Sequence, residues 1–124
     1  MARGKILIID DEIEVREFFQ DFFEDRDFEV TAASNGRRGV EIFGQGEFDL
    51  IICDMMMPGM IGLEVLEHVK KIKQDQRIIM LTGVSEKSMV ERAEALGCSH
   101  YLNKPVSLDA LEKQVNACLE SENH

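Results

Sequence analysis

Cysteine is scarce in this 124-residue chain, and its placement excludes two common uses of the residue. The three cysteines, Cys53, Cys98 and Cys118, are an odd number, and no two of them have CxxC spacing. A disulfide framework and a zinc knuckle both fit poorly, because each needs cysteines in pairs. Free cysteines suit a reducing compartment, so we expect a cytoplasmic protein.

Long hydrophobic runs and linker-like segments are also missing. The first apolar run, Ile6–Ile9, ends at Asp10 and is too short for a signal-peptide core or a membrane span. No internal repeat is present, and no stretch is rich in proline, glycine and serine as a linker would be. We therefore expect residues 1–124 to form a single domain.

Basic residues are few. The chain has 14 lysines and arginines against 24 aspartates and glutamates, which leaves a formal net charge of −10. Such a surface repels phosphate backbones and anionic lipids, so no direct binding to nucleic acid or membrane is expected. The charge favours cations and basic partner surfaces.

Short apolar segments alternate with segments of helical period along the whole chain. Five apolar segments predict strands, at 6–9, 28–32, 50–53, 78–81 and 100–102. Apolar residues at helical spacing predict a helix after each strand. The order βαβαβαβαβα predicts an α/β fold, a doubly wound five-stranded parallel sheet with helices on both faces. Ligands of such sheets bind beyond the carboxyl ends of the strands.

Residues at the predicted helix ends support these boundaries. Asn35 opens the second helix, and Ser85 and Ser107 are predicted N-caps of the fourth and fifth. Gly97 is a predicted C-cap of the fourth helix.

Polar side chains stand where the predicted strands end. Asp10 and Asp11 follow the first strand, and Asp54 follows the third. Three carboxylates brought together from two strands repel one another unless a cation neutralises them, and oxygen ligands favour Mg²⁺. Thr82 after the fourth strand and Lys104 after the fifth add a hydrogen-bond donor and a positive charge, which suit a phosphoryl group.

Four motifs in order carry a family resemblance. They are Ile-Ile-Asp-Asp-Glu at 8–12, Cys-Asp-Met-Met-Met-Pro-Gly-Met at 53–60, Leu-Thr-Gly at 81–83 and Tyr-Leu-Asn-Lys-Pro at 101–105. With them, the chain resembles the receiver domains of bacterial two-component response regulators, including single-domain chemotaxis and sporulation regulators. The resemblance implies a flavodoxin-like (βα)5 fold with strand order 2-1-3-4-5. It also implies phosphorelay signal transduction by a phosphoacceptor that is not a turnover enzyme.

The resemblance implies that the carboxylate of Asp54 accepts a phosphoryl group from a phosphohistidine. Asp11 and Asp54 would ligate Mg²⁺ together with the backbone carbonyl of Met56. Asp10 would hold the same ion through water.

The resemblance also assigns the residues that respond to the phosphoryl group. Lys104 would pair with its oxygens, and Thr82 would donate a hydrogen bond to one of them. Tyr101 would be the aromatic switch that follows the movement of Thr82. The peptide bond between Lys104 and Pro105 matches a bond that is cis in the family.

Partner surfaces are implied on two sides of the domain. A histidine kinase or histidine phosphotransfer protein would dock on the first helix, where Phe18 is expected to be partly exposed. An output partner would bind the surface of the fourth helix, fifth strand and fifth helix, because Tyr101 lies there. We expect a monomer or a phosphorylation-dependent dimer.

Three apolar residues within or next to the motifs have further implied or open roles. Met56 and Val84 lie two residues beyond the phosphoacceptor and the threonine, where receivers tune the lifetime of the phosphoryl group. Ile61 stands where family members commonly carry an acidic residue before a glycine. It is either an exposed contact near the site or a side chain tucked onto its own helix.

Three other functions compete with this interpretation. A Mg²⁺-dependent phosphatase of the haloacid dehalogenase type also uses an aspartyl nucleophile, but it carries a second aspartate two residues later, where this chain has Met56. A flavodoxin-like cofactor carrier must cradle a phosphate, which residues 10–12 would repel. A pseudo-receiver that binds without phosphorylation is disfavoured by the complete aspartate, threonine and lysine set.

Overall fold

The computed structural model describes residues 3–83 and 87–120, and within them the predicted alternation of strands and helices is present. The five strands form one parallel sheet in the order β2-β1-β3-β4-β5, as expected. In chain order the elements are β1 (Lys5–Ile9), α1 (Ile13–Glu24), β2 (Glu29–Ala33), α2 (Gly36–Gly44), β3 (Leu50–Asp54), α3 (Gly62–Ile72), β4 (Ile78–Thr82), α4 (Lys87–Ala95), β5 (His100–Asn103) and α5 (Leu108–Glu120).

Two apolar cores cover the two faces of the sheet. Successive residues of β1 divide between them, with Leu7 and Ile9 in one core and Ile6 and Ile8 in the other. The first core is completed by α2, α3 and α4, and the second by α1 and α5. Both faces of the central strands are therefore buried, which explains their continuous apolar sequence.

Strand β2 lies at an edge, as its alternating sequence indicated, but it begins one residue later than predicted. The backbone N–H of Phe28 donates to the carbonyl of Phe23 at 3.0 Å, so this residue still belongs to the turn that closes α1. Asp27 has a positive φ of 67° in that turn. The side chain of Phe28 is nevertheless buried in the second core.

The predicted caps within the described residues are present. The side chain of Asn35 accepts from the N–H of Arg38 at 2.8 Å, and that of Ser107 accepts from the N–H of Ala110 at 3.2 Å. Gly97, with a φ of +100°, ends α4 as a left-handed residue. The predicted cap Ser85 lies outside the described residues.

Ile61 occupies the N-cap position of α3, where an acidic residue was the family expectation. Its side chain accepts no hydrogen bond, but its backbone N–H donates to the carboxylate of Glu64 at 3.1 Å. The Ile61 side chain is half-buried and packs against the first core. Of the two predictions for Ile61, this packing favours the tucked side chain and not the exposed contact near the site.

Gly62 lets α3 start directly against the end of β3. Its N–H donates to the carbonyl of Met55 at 2.9 Å. A Cβ atom here would meet the carbonyl oxygen of Asp54 at 2.5 Å and the Cα of Met55 at 2.7 Å. The absence of a side chain at Gly62 thus lets α3 approach the backbone of Asp54 closely.

None of the helices in the described part of the chain has both the length and the apolar character needed to span a membrane.

We predict that Gly62→Ala lowers the free energy of unfolding by about 1–3 kcal/mol, because the added methyl group forces two backbones apart. Gly44→Ala is the matched control, since nothing lies within 4 Å of the Cβ position there. Urea unfolding of both variants measures the difference. Equal stabilities would show that α3 has room to move.

Candidate functional site

Four carboxylates gather at the carboxyl edge of the sheet. Ile9 of β1 pairs with Cys53 of β3, so the residues that follow them, Asp10 and Asp54, end neighbouring strands. Ligand oxygens of Asp10, Asp11, Glu12 and Asp54 all lie within 4.8 Å of one another. Asp10, Asp11 and Asp54 were predicted to lie together, whereas Glu12 had no predicted role.

Lys104 supplies a positive charge to this cluster. Its Nζ lies 3.1 Å from Oδ2 of Asp10, 3.1 Å from Oδ2 of Asp54 and 3.2 Å from Oε1 of Glu12. The backbone holds the lysine in place, because its N–H donates to the carbonyl of Thr82 at 2.8 Å. The following peptide bond, to Pro105, is cis as the resemblance implied.

Burial shifts the pKa values of the two buried aspartates of the cluster, Asp10 and Asp54. Burial raises the pKa of Asp54 to about 6, and the charge of Asp10 adds to the rise, against the opposing effect of Lys104. Burial likewise raises the pKa of Asp10. Burial alone would lower the pKa of Lys104, but its contacts with Asp54 and Asp10 raise it. One ammonium therefore leaves the buried carboxylates short of positive charge.

The site fits a hard divalent cation. All of its clustered donors are carboxylate oxygens, which suit Mg²⁺. Oδ2 of Asp10 is fully buried and, apart from the ammonium of Lys104, has no partner among the described residues. A cation would supply the charge that the cluster lacks and bring further partners to that oxygen through its bound water.

Thr82 stands at the same edge, as the last residue of β4. It is 3% exposed, and its hydroxyl donates to Oδ1 of Asn103 at 3.0 Å. Asp54 pairs with Leu81 in the sheet, so Thr82 is one residue beyond the level of Asp54. Sequence reasoning found the threonine but not its partner Asn103, because an amide before a lysine carries no distinctive signal.

Tyr101 connects β5 with α4. Its half-buried ring packs against the first core, and its hydroxyl donates to the carbonyls of Cys98 at 2.9 Å and Val90 at 3.4 Å. Burial raises the pKa of Tyr101, with the nearby Cys98 adding to the rise. Tyr101 thus contacts α4, and it lies in the same strand as Asn103, two residues before it.

Met56 lies beside the cluster with 49% of its surface exposed. Its N–H faces Oδ1 of Asp54 at 3.4 Å. The second residue predicted to tune the phosphoryl lifetime, Val84, lies outside the described residues.

Comparisons with known proteins decide the family. The family model of the response regulator receiver domain matches residues 6–116. The chain belongs to this receiver family. Sporulation initiation phosphotransferase F of Bacillus subtilis is 31% identical over 119 residues, which cover 96% of each chain. Chemotaxis protein CheY of the same organism is 34% identical over 116 residues, 93% of this chain and 97% of that protein.

Solved structures agree with this assignment. A response regulator receiver domain protein from Clostridium thermocellum superposes with a TM-score of 0.89 at 32% identity, over 99% of this chain and 98% of that one. Receiver domains act in phosphorelay signal transduction through phosphorylation of an aspartate, and they interact with histidine kinases or phosphotransfer proteins. The family match over residues 6–116 sets aside the phosphatase and cofactor-carrier alternatives, and receiver domains are not classical enzymes. Receivers bind Mg²⁺ at an acidic cluster, and this chain has one.

We predict that Asp54→Asn stabilises the metal-free protein at neutral pH by about 1–3 kcal/mol. The folded pKa of about 6 lies above the usual 3.8, so ionised Asp54 costs folding free energy above pH 6 and none below pH 4. Urea unfolding at pH 4 and pH 7.5 should show the gain only at the higher pH.

Mg²⁺ should narrow the difference in free energy of unfolding between Asp54→Asn and the wild type. The ion stabilises the wild type more, because the asparagine variant lacks one carboxylate to bind it. Asp75→Asn, an exposed position just before β4, serves as the control and should change little at either pH. A gain at pH 4 as large as that at pH 7.5 would contradict the prediction.

Proposed function

We propose that Asp54 is the phosphoacceptor of this receiver domain. The observation that carries the proposal is its position. Asp54 ends a central strand, and its Oδ2 lies 3.1 Å from Lys104 within the cluster of acidic side chains. Of the three clustered aspartates, it is the one that ends β3, and Asp10 and Asp11 flank it from β1.

We assign the Mg²⁺ ligands on the same basis. Asp11 and Asp54 would bind the ion directly together with the backbone carbonyl of Met56, and the buried Asp10 would hold it through water. Bound there, Mg²⁺ supplies positive charge next to the transferring phosphoryl group.

In the transfer, an oxygen of Asp54 forms a bond to phosphorus while the bond from phosphorus to the donor breaks. With a phosphohistidine, the electron pair of that P–N bond stays on the imidazole. Lys104 neutralises the charge on the phosphoryl oxygens. Because transfer needs charge neutralisation and positioning more than covalent help, the domain would promote its own phosphorylation from small donors as well.

The response would pass from Thr82 to Tyr101. The hydroxyl of Thr82 is held by Asn103, and it would leave that partner to donate to the phosphoryl group. Movement at the ends of β4 and β5 would then reach Tyr101 and, through its hydrogen bonds to Val90 in α4 and to Cys98 just beyond it, α4. The output partner would read the surface of α4, β5 and α5.

The phosphodonor protein would dock beside Lys104. A groove of about 420 Å³ there separates α1 from the segment that links β5 to α5, and half-buried Phe18 lines it. Its walls are mostly apolar, with an acidic rim at Glu12 and Glu14, so the matching surface is apolar and basic. The groove is lined by Glu12, Glu14, Val15, Phe18, Phe19, Lys104, Pro105 and Val106.

Two further expectations stay predictions. They are the single domain over residues 1–124 and the monomer or phosphorylation-dependent dimer.

We predict that the protein gains one phosphoryl group from acetyl phosphate or phosphoramidate, and only with a divalent ion present. Asp54→Asn should abolish the gain because it removes the nucleophile, and Asp75→Asn should leave it intact. Intact-mass spectrometry measures the product. Equal labelling of the Asp54 variant would refute the assignment.

We also predict slow loss of the phosphoryl group, because the apolar side chains of Met56 and Val84 neither orient nor activate an attacking water. The double variant Met56→Asn with Val84→Glu should lose phosphate at least several-fold faster. The decay of phosphorylated protein after donor removal, in Mg²⁺, measures both rates. Equal decay would show that these side chains do not set the lifetime.

A further inference from the structure

The side chain of Glu12 reaches across the site to Lys104 although it stands at the N-cap of α1. Its Oε1 lies 3.2 Å from Nζ of Lys104, and it makes no capping hydrogen bond to the first turn of the helix. The backbone of Glu12 is fixed at both ends. Its N–H donates to Oδ1 of Asp10 at 2.9 Å, and its carbonyl accepts from the N–H of Arg16 at 3.1 Å.

We infer that Glu12 is a positioning residue that occupies Lys104 in the unphosphorylated protein and competes with the phosphoryl group for it. The inference rests on the proposed function of Asp54 and Lys104. It concerns the third acidic residue of the run at positions 10–12, which had no predicted role.

The three carboxylate partners of Lys104 differ in how easily they are released. The side chains of Asp10 and Asp54 are 0% and 7% exposed, whereas that of Glu12 is 62% exposed. An ammonium has three protons, so three carboxylates use its full capacity to donate. An exposed ion pair has a small free energy and breaks readily. Glu12 is therefore the partner that gives way when a new acceptor arrives.

A phosphoryl group on Asp54 is such an acceptor. It brings close to two negative charges and three acceptor oxygens to the carboxylate that Lys104 already contacts. Lys104 must then turn from Glu12 to the phosphoryl group, and the like charges of that group and Glu12 repel each other. Glu12 thus favours the unphosphorylated state without taking part in bond formation.

The test compares three variants with the wild type at low ionic strength. Glu12→Gln removes the charge, and Glu12→Asp keeps the charge on a side chain one methylene shorter. Both should raise the rate of phosphorylation by phosphoramidate in Mg²⁺ by about 2–5-fold, the factor that corresponds to one exposed ion pair. Glu14→Gln removes the same charge from an exposed neighbour in the first turn of α1 and controls for the general field. It should change the rate by less than about 1.5-fold.

Two further measurements separate the inference from other roles of Glu12. Mg²⁺ titration should give affinities within about twofold for wild type and Glu12→Gln, because the glutamate is assigned to the lysine. In metal-free protein, an amine-modifying reagent should label Lys104 faster in Glu12→Gln than in wild type, relative to the exposed Lys113.

Each result bears on the inference. Equal phosphorylation rates in wild type and Glu12→Gln would overturn it, as would unchanged labelling of Lys104. A tenfold loss of Mg²⁺ affinity in Glu12→Gln would also overturn it, by making Glu12 a metal ligand. A wild-type protein that takes no phosphoryl group would instead refute the role of Asp54, and the labelling of Lys104 would still test its contact with Glu12.

Discussion

The ion pairing of one ammonium with several partly buried carboxylates is the constraint on which the site depends. Lys104 contacts Asp10, Asp54 and Glu12, and it is the one cation that the described structure shows in contact with these carboxylates. Buried carboxylates without full compensation raise the free energy of the folded protein. The site therefore favours an additional cation, and that cation would also offset the negative charge that a transferred phosphoryl group brings.

The order of strands in the sheet brings the charged groups of the site together with few residues. Because β1 and β3 are adjacent, two strand ends bring the carboxylates together, and β4 and β5 bring Thr82, Asn103 and Lys104 to the same edge. The apolar cores on both faces fix the positions of the strands. The polar groups at the strand ends are therefore held in fixed positions as well. Gly62 adds the final element by letting α3 start against the backbone of Asp54.

Most of the fold could be predicted because its signals are local. Continuous apolar strands, helical stripes and the caps at Asn35, Ser107 and Gly97 each depend on residues close together in sequence. The start of β2 was misplaced by one residue, since the backbone of Phe28 bonds to the end of α1 while its side chain serves the core. The apolar pattern of the sequence shows that the Phe28 side chain is buried but does not show whether its backbone belongs to the strand or to the preceding turn.

The site was predicted less completely than the fold. Strand ends and the family resemblance pointed to Asp10, Asp11, Asp54, Thr82 and Lys104, and the structure brings the acidic residues and the lysine together. The partners Glu12 and Asn103 were missed because their roles arise from side-chain directions across strands. The signal for Glu12 was present as a third acidic residue in a row, at the N-cap position of α1, which a shorter side chain would normally fill.

The bounds of the two edge strands have a consequence for how copies of this protein meet. Strand β2 has five residues, beginning with the exposed Glu29, and β5 has four. A short edge strand such as β5, and an edge that carries a charged residue such as β2, are poor templates for the growth of a sheet from one molecule into the next. Such edges oppose aggregation through strand pairing, so a partner that meets β5 would contact its side chains without extending the sheet.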